Sequence, residues 1–402
     1  MPWFLRMQLI IFPLILLVQI YISTGLHYSV KRLFPAQKRI AKNILFPTLV
    51  FFNLFPLLII FLKLINRIPE LFILNNQLQV LDFILLFPYW WGLIAAVEIL
   101  PYFVEADLLL LAAVLTRWKK KELLQKFLAW AKIVITVVLM VYTGIRIYYD
   151  TNHVRLTQHK VQIKNLSESL NGLKITLLGD VQVDRYTQSA KIEQLEKKLK
   201  QAGSDFLLFS GDLVTSGQYF IEQGVELLCD QSAVGGKFAC MGDHDHWANP
   251  EKISTGLKNC GWNFLENNHQ LVQYKGKQIL FTGITHIYSQ QISAQHLASI
   301  LESAPEADLK VLLVHQPAPI IVEVAEKYGY QLVLGGHTHG GQIRFQPLGF
   351  TLTASMFETP YYSGLYQAGN TTVVVTNGIG LTLAPVRYHA GAEINVITFS
   401  TE

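Results

Sequence analysis

Gly335-Gly336-His337-Thr338-His339-Gly340-Gly341-Gln342 follows directly on the apolar run Leu332-Val333-Leu334. Two histidines one residue apart, set between glycine pairs at a predicted strand end, suit metal binding. Imidazole is a ligand for divalent first-row ions, and flanking glycines let the backbone turn sharply and leave room for a ligand. Upstream the same arrangement recurs. Asp180 follows Ile175-Thr176-Leu177-Leu178-Gly179, and Asp212 follows Leu207-Leu208-Phe209-Ser210-Gly211. Asp243-His244-Asp245 follows Met241-Gly242, and His315 follows Val311-Leu312-Leu313-Val314. Open α/β folds bind ligands beyond the carboxyl ends of their strands, so these groups are expected to converge on one crevice. No thiolate is among them, which argues against a closed structural zinc site.

Around these clusters the pattern alternates. Strands are expected at 174–178, 206–209, 238–241, 311–314 and 332–334, a hairpin over 269–283 turning at Lys275-Gly276-Lys277, and late strands at 372–376 and 394–399. Helical spacing is expected over 187–202, 217–229, 250–259, 293–303 and 318–328. This is an α/β layer architecture, large enough for one core.

The N-terminal part differs. No charge occurs between Arg6 and Lys31 or between Lys42 and Lys63, and further spans are expected near 83–104 and 127–148, where Lys132 and Arg146 snorkel. Residues 1–148 therefore read as a transmembrane region of about four helices, 149–165 as a linker and 166–402 as the α/β domain. The first segment lacks the marks of a cleavable signal peptide. Lys31, Arg32, Lys38, Arg39 and Lys42 lie between the first two spans, and Arg117, Lys119, Lys120, Lys121 and Lys126 between the last two. Only Lys63 and Arg67 lie between the second and third. With four spans, the positive-inside rule then makes the chain a multi-pass protein of the cell membrane with its C-terminal domain outside the cytoplasm; a fifth helix hidden in 83–117 would reverse that side. Glu98, Glu105 and Asp107 read as a helix end at the interface or as an intramembrane polar site.

The first 150 residues carry 15 Lys+Arg against 7 Asp+Glu, and the remainder 18 against 22. An acidic C-terminal part lacks the basic face of a nucleic-acid binder, so no nucleic-acid partner is expected. Cys229, Cys240 and Cys260 form no CxxC pair and read as core residues rather than a disulfide framework.

The series Asp180-Val181-Gln182, Gly211-Asp212, Gly242-Asp243-His244-Asp245, His315 and Gly336-His337-Thr338-His339 resembles the calcineurin-like metallophosphoesterase superfamily. That family's pattern is D-x-H, G-D, G-N-H-[DE], a lone His and G-H-x-H. The tail, with Asn377-Gly378-Ile379-Gly380, Pro385-Val386-Arg387 and Glu393, looks like its branch of small bacterial membrane-associated phosphoesterases. The resemblance implies a four-layer αββα fold, two divalent ions (Mn²⁺ foremost; Zn²⁺, Fe²⁺ or Mg²⁺ also fitting) and a phosphate mono- or diester substrate attacked by a metal-activated water. It implies Asp212 as bridging ligand, Asp180 and His339 on the first metal, and Asp243, His315 and His337 on the second. His244 would protonate the leaving oxygen, with Asp245 orienting it. Arg387 is either a phosphate clamp or a structural ion-pair partner of Glu393. Asp184, His246 and His286 are read as lying outside the site.

Two positions depart from the pattern. Gln182 stands where a ligating His is usual and Asp243 where Asn is usual. Gln offers only a carbonyl oxygen, so the first site is expected to be weakened and shifted toward harder ions. Three readings follow: a hydrolase acting on a membrane-borne, lipid-linked phosphoester; a metal-binding membrane sensor or scaffold with little turnover; or a phosphodiesterase of a soluble substrate, tethered to the membrane by domain fusion. The aromatic stretch Phe350–Tyr366 either touches lipid or packs in the core. Oligomeric state is not encoded in any feature of this sequence.

Overall fold

The computed structural model describes residues 3–65, 80–164 and 166–401. Arg67, assigned above to the second interhelical loop, lies outside them. The described chain divides into two compact units.

The first comprises residues 1–149 with the short segments 344–352 and 383–388. Its helices are α1 (Trp3–Leu33), α2 (Lys38–Phe52), α3 (Leu54–Leu64), α4 (Phe87–Leu115) and α5 (Lys121–Asn152), the last running on into the second unit. Among the described residues, three stretches are long and apolar enough to cross a membrane: Arg6–Leu33, Asp82–Leu115 and Lys121–Asn152. The expected second span is instead a bent pair, Pro35–Phe52 and Leu54–Leu64, kinked by 59°. Pro56 accounts for the break: it has no N–H to give to Phe52 and its ring crowds that carbonyl. Asn53 fills the gap, donating from Nδ2 to the carbonyl of Leu49 at 2.7 Å and to Gln19 Oε1 at 2.5 Å. Nor does a helix end near Glu98 and Asp107. Both lie inside α4, where Glu98 Oε1 accepts the N–H of Gln346 at 3.0 Å. Lys132, rather than snorkelling, pairs with Asp107.

The second unit carries two six-stranded sheets. One is built from β1 (Arg155–Gln162), β2 (Lys174–Leu178), β3 (Phe206–Phe209), β4 (Gly236–Ala239), β5 (Trp262–Phe264) and β12 (Glu393–Ser400), in the order β1-β12-β2-β3-β4-β5. The other contains β6 (Asn268–Tyr274), β7 (Lys277–Ile284), β8 (Leu309–Val314), β9 (Leu332–Gly335), β10 (Gly364–Ala368) and β11 (Thr371–Val375), in the order β10-β11-β9-β8-β7-β6.

Alternation along the strands decides the layering. Ile175, Leu177, Phe206, Leu208 and Phe238 of one sheet share a core with Phe281, Val311, Leu313, Leu334 and Val374 of the other. The opposite face of the first sheet buries Leu178, Leu207 and Phe209 under Leu195, Leu199, Leu227 and Leu257 of α6 (Ala190–Ala202), α7 (Ile221–Cys229) and α9 (Pro250–Asn259). The outer face of the second sheet packs Leu312 and Val333 beneath Leu297, Ile321 and Val322 of α10 (Ala294–Glu302) and α11 (Pro319–Lys327). The result is the expected four-layer αββα arrangement. Parallel registers align the strand ends: Leu178 pairs with Phe209 and Phe209 with Ala239, while Leu313 pairs with Leu334.

Two expectations change. The segment read as a linker holds the end of α5 and the whole of β1, which pairs in parallel with β12 from Arg155↔Glu393 to Gln162↔Ser400. Its polar composition reflects an edge strand, exposed on alternate residues, rather than a lack of structure. Cys229 and Cys260 form a disulfide with Cα atoms 5.4 Å apart, joining the C-terminal ends of α7 and α9; only Cys240 remains a free, buried core thiol.

Candidate metal centre

The loops after β2, β3, β4, β8 and β9 carry the chemistry. Five of the residues singled out in the sequence have left-handed backbone: Asp180 (φ 48°), Gln182 (43°), Asp212 (62°), His337 (71°) and His339 (52°). A side chain there costs about 1–2 kcal/mol per residue, and such strain gathers at functional sites. Glycine is needed where the loops touch. A Cβ on Gly336 would stand 2.3 Å from Asp180 Oδ2, and one on Gly242 would stand 2.2 Å from Asp212 Oδ1.

Two donor clusters form, Asp180–Asp212–His315 and Asp243–His315–His337, with His315 common to both. His315 Nδ1 hydrogen-bonds to the carbonyl of Ser210 at 2.7 Å, leaving Nε2 toward the centre, 3.4 Å from both Asp212 Oδ2 and Asp243 Oδ2. His337 Nδ1 lies 3.1 Å from Asp243 Oδ2 and His339 Nε2 lies 3.6 Å from Asp180 Oδ1. Asp243 is held by the N–H of Tyr288 on Oδ1 and the amide of Gln316 on Oδ2, both at 2.6 Å. The N–H of His337 reaches both oxygens of Asp180, at 2.9 and 3.0 Å.

The electrostatics are those of a cation site. Burial lifts the pKa of Asp180 to about 6, with Asp212 adding to it. Burial would lift Asp212 too, but His315 and His244 hold it below the usual carboxylate range; His315 and His337 do the same for Asp243. Burial opposes charge on the histidines, yet the facing carboxylates raise His315 well above 6.5 and, with Glu358, bring His337 to about 9. Carboxylates thus draw positive charge into the site, a role divalent ions fill by displacing protons. Two of the expected ligand atoms, His315 Nε2 and Gln182 Oε1, are among the buried polar atoms that lack an aligned hydrogen bond. A donor set of carboxylate, imidazole and amide oxygen with these orphans fits divalent metal binding.

Gln182 points its amide at Asp212, with Nε2 3.3 Å from Oδ2. His244 is partly exposed, and its Nε2 stands 4.0 Å from Asp212 Oδ2. Its other ring nitrogen, Nδ1, lies 2.5 Å from the carbonyl of Thr215, and its backbone N–H donates to Asp212 Oδ1 at 2.8 Å. Asp245 therefore does not orient the His244 ring. Its carboxylate is taken by the backbone N–H groups of Asp212 (2.8 Å), Leu213 (2.7 Å) and Gly242 (3.2 Å), so it shapes the loop that carries Asp212. Arg387 is fully buried. Glu393 is engaged by Thr157 Oγ1 and the N–H of Asn377.

Sequence reasoning missed Thr215, Tyr288, Gln316 and Glu358. Glu358 Oε1 is 2.8 Å from His337 Nε2 and accepts from Tyr288 Oη at 2.7 Å. Gln316 was signalled only by its adjacency to His315. Glu358 lies within the aromatic stretch, which divides: Tyr361 and Tyr366 pack on the second sheet's outer core, while Phe350 and Phe357 are exposed.

Residues 173–341 match the calcineurin-like phosphoesterase family. The chain is 26% identical over 258 residues to an uncharacterized metallophosphoesterase of Bacillus subtilis (strain 168), covering 63% of this chain and 88% of that one. It is 26% identical over 275 residues to a transmembrane protein with metallophosphoesterase domain of Danio rerio, covering 66% and 61%. It is 30% identical over 225 residues to an uncharacterized metallophosphoesterase of Helicobacter pylori (strain ATCC 700392 / 26695), covering 55% and 58%. The match thus spans only about three fifths of the last two.

Proposed function

From a chain whose residues 173–341 are a calcineurin-like phosphoesterase domain, and which is therefore a metal-dependent phosphoric ester hydrolase, we propose a membrane-anchored enzyme that cleaves a lipid-linked phosphoester outside the cytoplasm. The observation that carries the chemistry is the pair of donor clusters meeting at His315. Asp180, Asp212, His339 and Gln182 would hold one divalent ion, and Asp212, Asp243, His315 and His337 the other. The carboxylate and amide oxygens suit Mn²⁺ or Mg²⁺ and the imidazoles suit Zn²⁺ or Fe²⁺, and Mn²⁺ is the ion assigned here. Such ions, when bound, lower the pKa of a coordinated water and offset phosphoryl charge.

The chain's own groups do the rest. Ser210, Gln316 and Glu358 fix the ligand side chains. Thr215 anchors Nδ1 of His244, leaving Nε2 to hand a proton to the leaving oxygen.

Three observations support the location. Among the described residues three helices are long and apolar enough to span a bilayer and the bent pair Pro35–Phe52 with Leu54–Leu64 supplies a fourth crossing, an even number that lets both basic loops lie on the cytoplasmic side; the Cys229–Cys260 disulfide suits an oxidising compartment. Phe357, 90% exposed and next to Glu358, offers an apolar contact for a lipid substrate beside the site. The test is hydrolysis of a phospholipid compared with a water-soluble aryl phosphodiester, by full-length protein in vesicles with Mn²⁺. Faster turnover of the lipid supports the reading; turnover of the soluble ester alone rejects the lipid assignment.

The Gln182 amide on Asp212 favours a second reading, a weakened first site and a metal sensor of low turnover. A folded, metal-loaded protein that hydrolyses neither substrate would support it.

A further inference from the structure

The helical unit contains a second polar site, separate from the metal centre. A cleft of about 780 Å³ lies between α1, α4 and α5. Lys31 and Arg32 stand at its mouth, at the C-terminal end of α1, exposed and without an ion-pair partner among the described residues. Tyr21, on the same helix, lies about 15 Å deeper at 1.5 Å per residue. There Asp107 of α4 accepts hydrogen bonds from Tyr21 Oη and Lys132 Nζ of α5, each at 2.5 Å. The Lys132 side chain is 11% exposed and that of Asp107 45% exposed, and both line the cleft.

The charge balance calls for an anion. Lys31, Arg32 and Lys132 face one carboxylate, leaving a net +2 inside a cleft that begins at the helix ends. Those ends adjoin the basic segments Lys38-Arg39 and Lys119-Lys120-Lys121, where a spanning chain meets the cytoplasmic leaflet and its anionic lipids. Ionisable groups are retained at such depth when paired or functional. On the same helices the exposed Leu17, Leu108 and Phe127 present apolar surface on which acyl chains can lie.

We propose that this cleft binds the phosphate-bearing headgroup of an anionic phospholipid. Lys31 and Arg32 bind the phosphate, and the Tyr21–Asp107–Lys132 trio closes the deep end. The proposal rests on the membrane-spanning reading of the helices and is independent of the catalytic chemistry.

The test is native mass spectrometry of full-length protein in mild detergent, titrated with phosphatidylglycerol or phosphatidylcholine. The wild type is expected to retain one phosphatidylglycerol in preference to phosphatidylcholine. Lys31→Ala/Arg32→Ala, altering only exposed residues, should weaken retention about 30-fold, since each cation contributes about a factor of five. Aryl phosphodiester hydrolysis by this variant should be unchanged, which separates failure here from failure of the catalytic reading. Equal retention of both lipids, or equal retention by wild type and variant, would overturn the proposal. Displacement of the lipid by millimolar inorganic phosphate would also overturn it, assigning the cleft to free phosphate. Protein that stays monodisperse without detergent would remove its membrane premise.

Discussion

Glu358 holds His337 from behind: its Oε1 lies 2.8 Å from Nε2 of the imidazole whose Nδ1 stands 3.1 Å from Asp243. A carboxylate on the far nitrogen of a ligating histidine fixes the ring and raises its basicity, and its loss costs about 10–100-fold in metal affinity or activity. Glu358→Gln should therefore weaken Mn²⁺ binding by about tenfold, measured by calorimetry, with the fold unchanged by circular dichroism. Unchanged affinity would make the Glu358 contact incidental.

His244 is assigned the proton transfer. His244→Ala should lower kcat by about a hundredfold while metal content, measured by elemental analysis, stays at the wild-type level. The loss should shrink for esters with acidic leaving groups, which need no proton. Equal losses across leaving groups would point to binding instead.

Asp245 supports three backbone N–H groups, two of them in the Asp212 loop. Asp245→Ala leaves these donors buried without partners and should cost about 2–4 kcal/mol, read from the midpoint of denaturant unfolding. Activity should fall with the Asp212 geometry and without the leaving-group dependence expected of His244→Ala.

Gln182→His restores an imidazole where the amide now faces Asp212. It should raise metal occupancy at limiting Mn²⁺ and increase turnover. Lower occupancy and lower turnover in a folded variant would show that Gln182 is suited to this site as it stands.

Burial pushes the Cys240 thiol up to about 12. Alkylation needs the thiolate, whose population is depleted at any pH below that value. At pH 8 the native protein should show no thiol reactive to iodoacetamide, the denatured protein one and the reduced, denatured protein three. Three reactive thiols without reductant would exclude the disulfide and remove its support for an extracytoplasmic domain.

The fold class and the cluster of site residues were legible because parallel strands are short, apolar and closely followed by their chemistry: Val314 directly by His315, Leu334 by His337 after Gly335-Gly336. What was not legible depended on partners remote in sequence. Arg155–Gln162 reads as a linker because its polar side chains suit an edge, and only pairing with Glu393–Ser400 makes it a strand. Cys229 and Cys260 lie 31 residues apart, and packing of α7 against α9 brings them together. Asp245 sits beside His244 in sequence, but the helical turn beginning at Asp243 directs its carboxylate to the backbone of Asp212. Glu358 meets His337 across a loop with no local periodicity to announce it.

The most direct test of the central claim is Mn²⁺-dependent hydrolysis of an aryl phosphodiester by the full-length protein beside His315→Ala, with bound metal counted in both. His315 is shared by both donor clusters. The account predicts metal-dependent turnover in the wild type, and in the variant a fall of at least about a hundredfold with loss of bound metal. Equal turnover and equal metal content in the two proteins would contradict it.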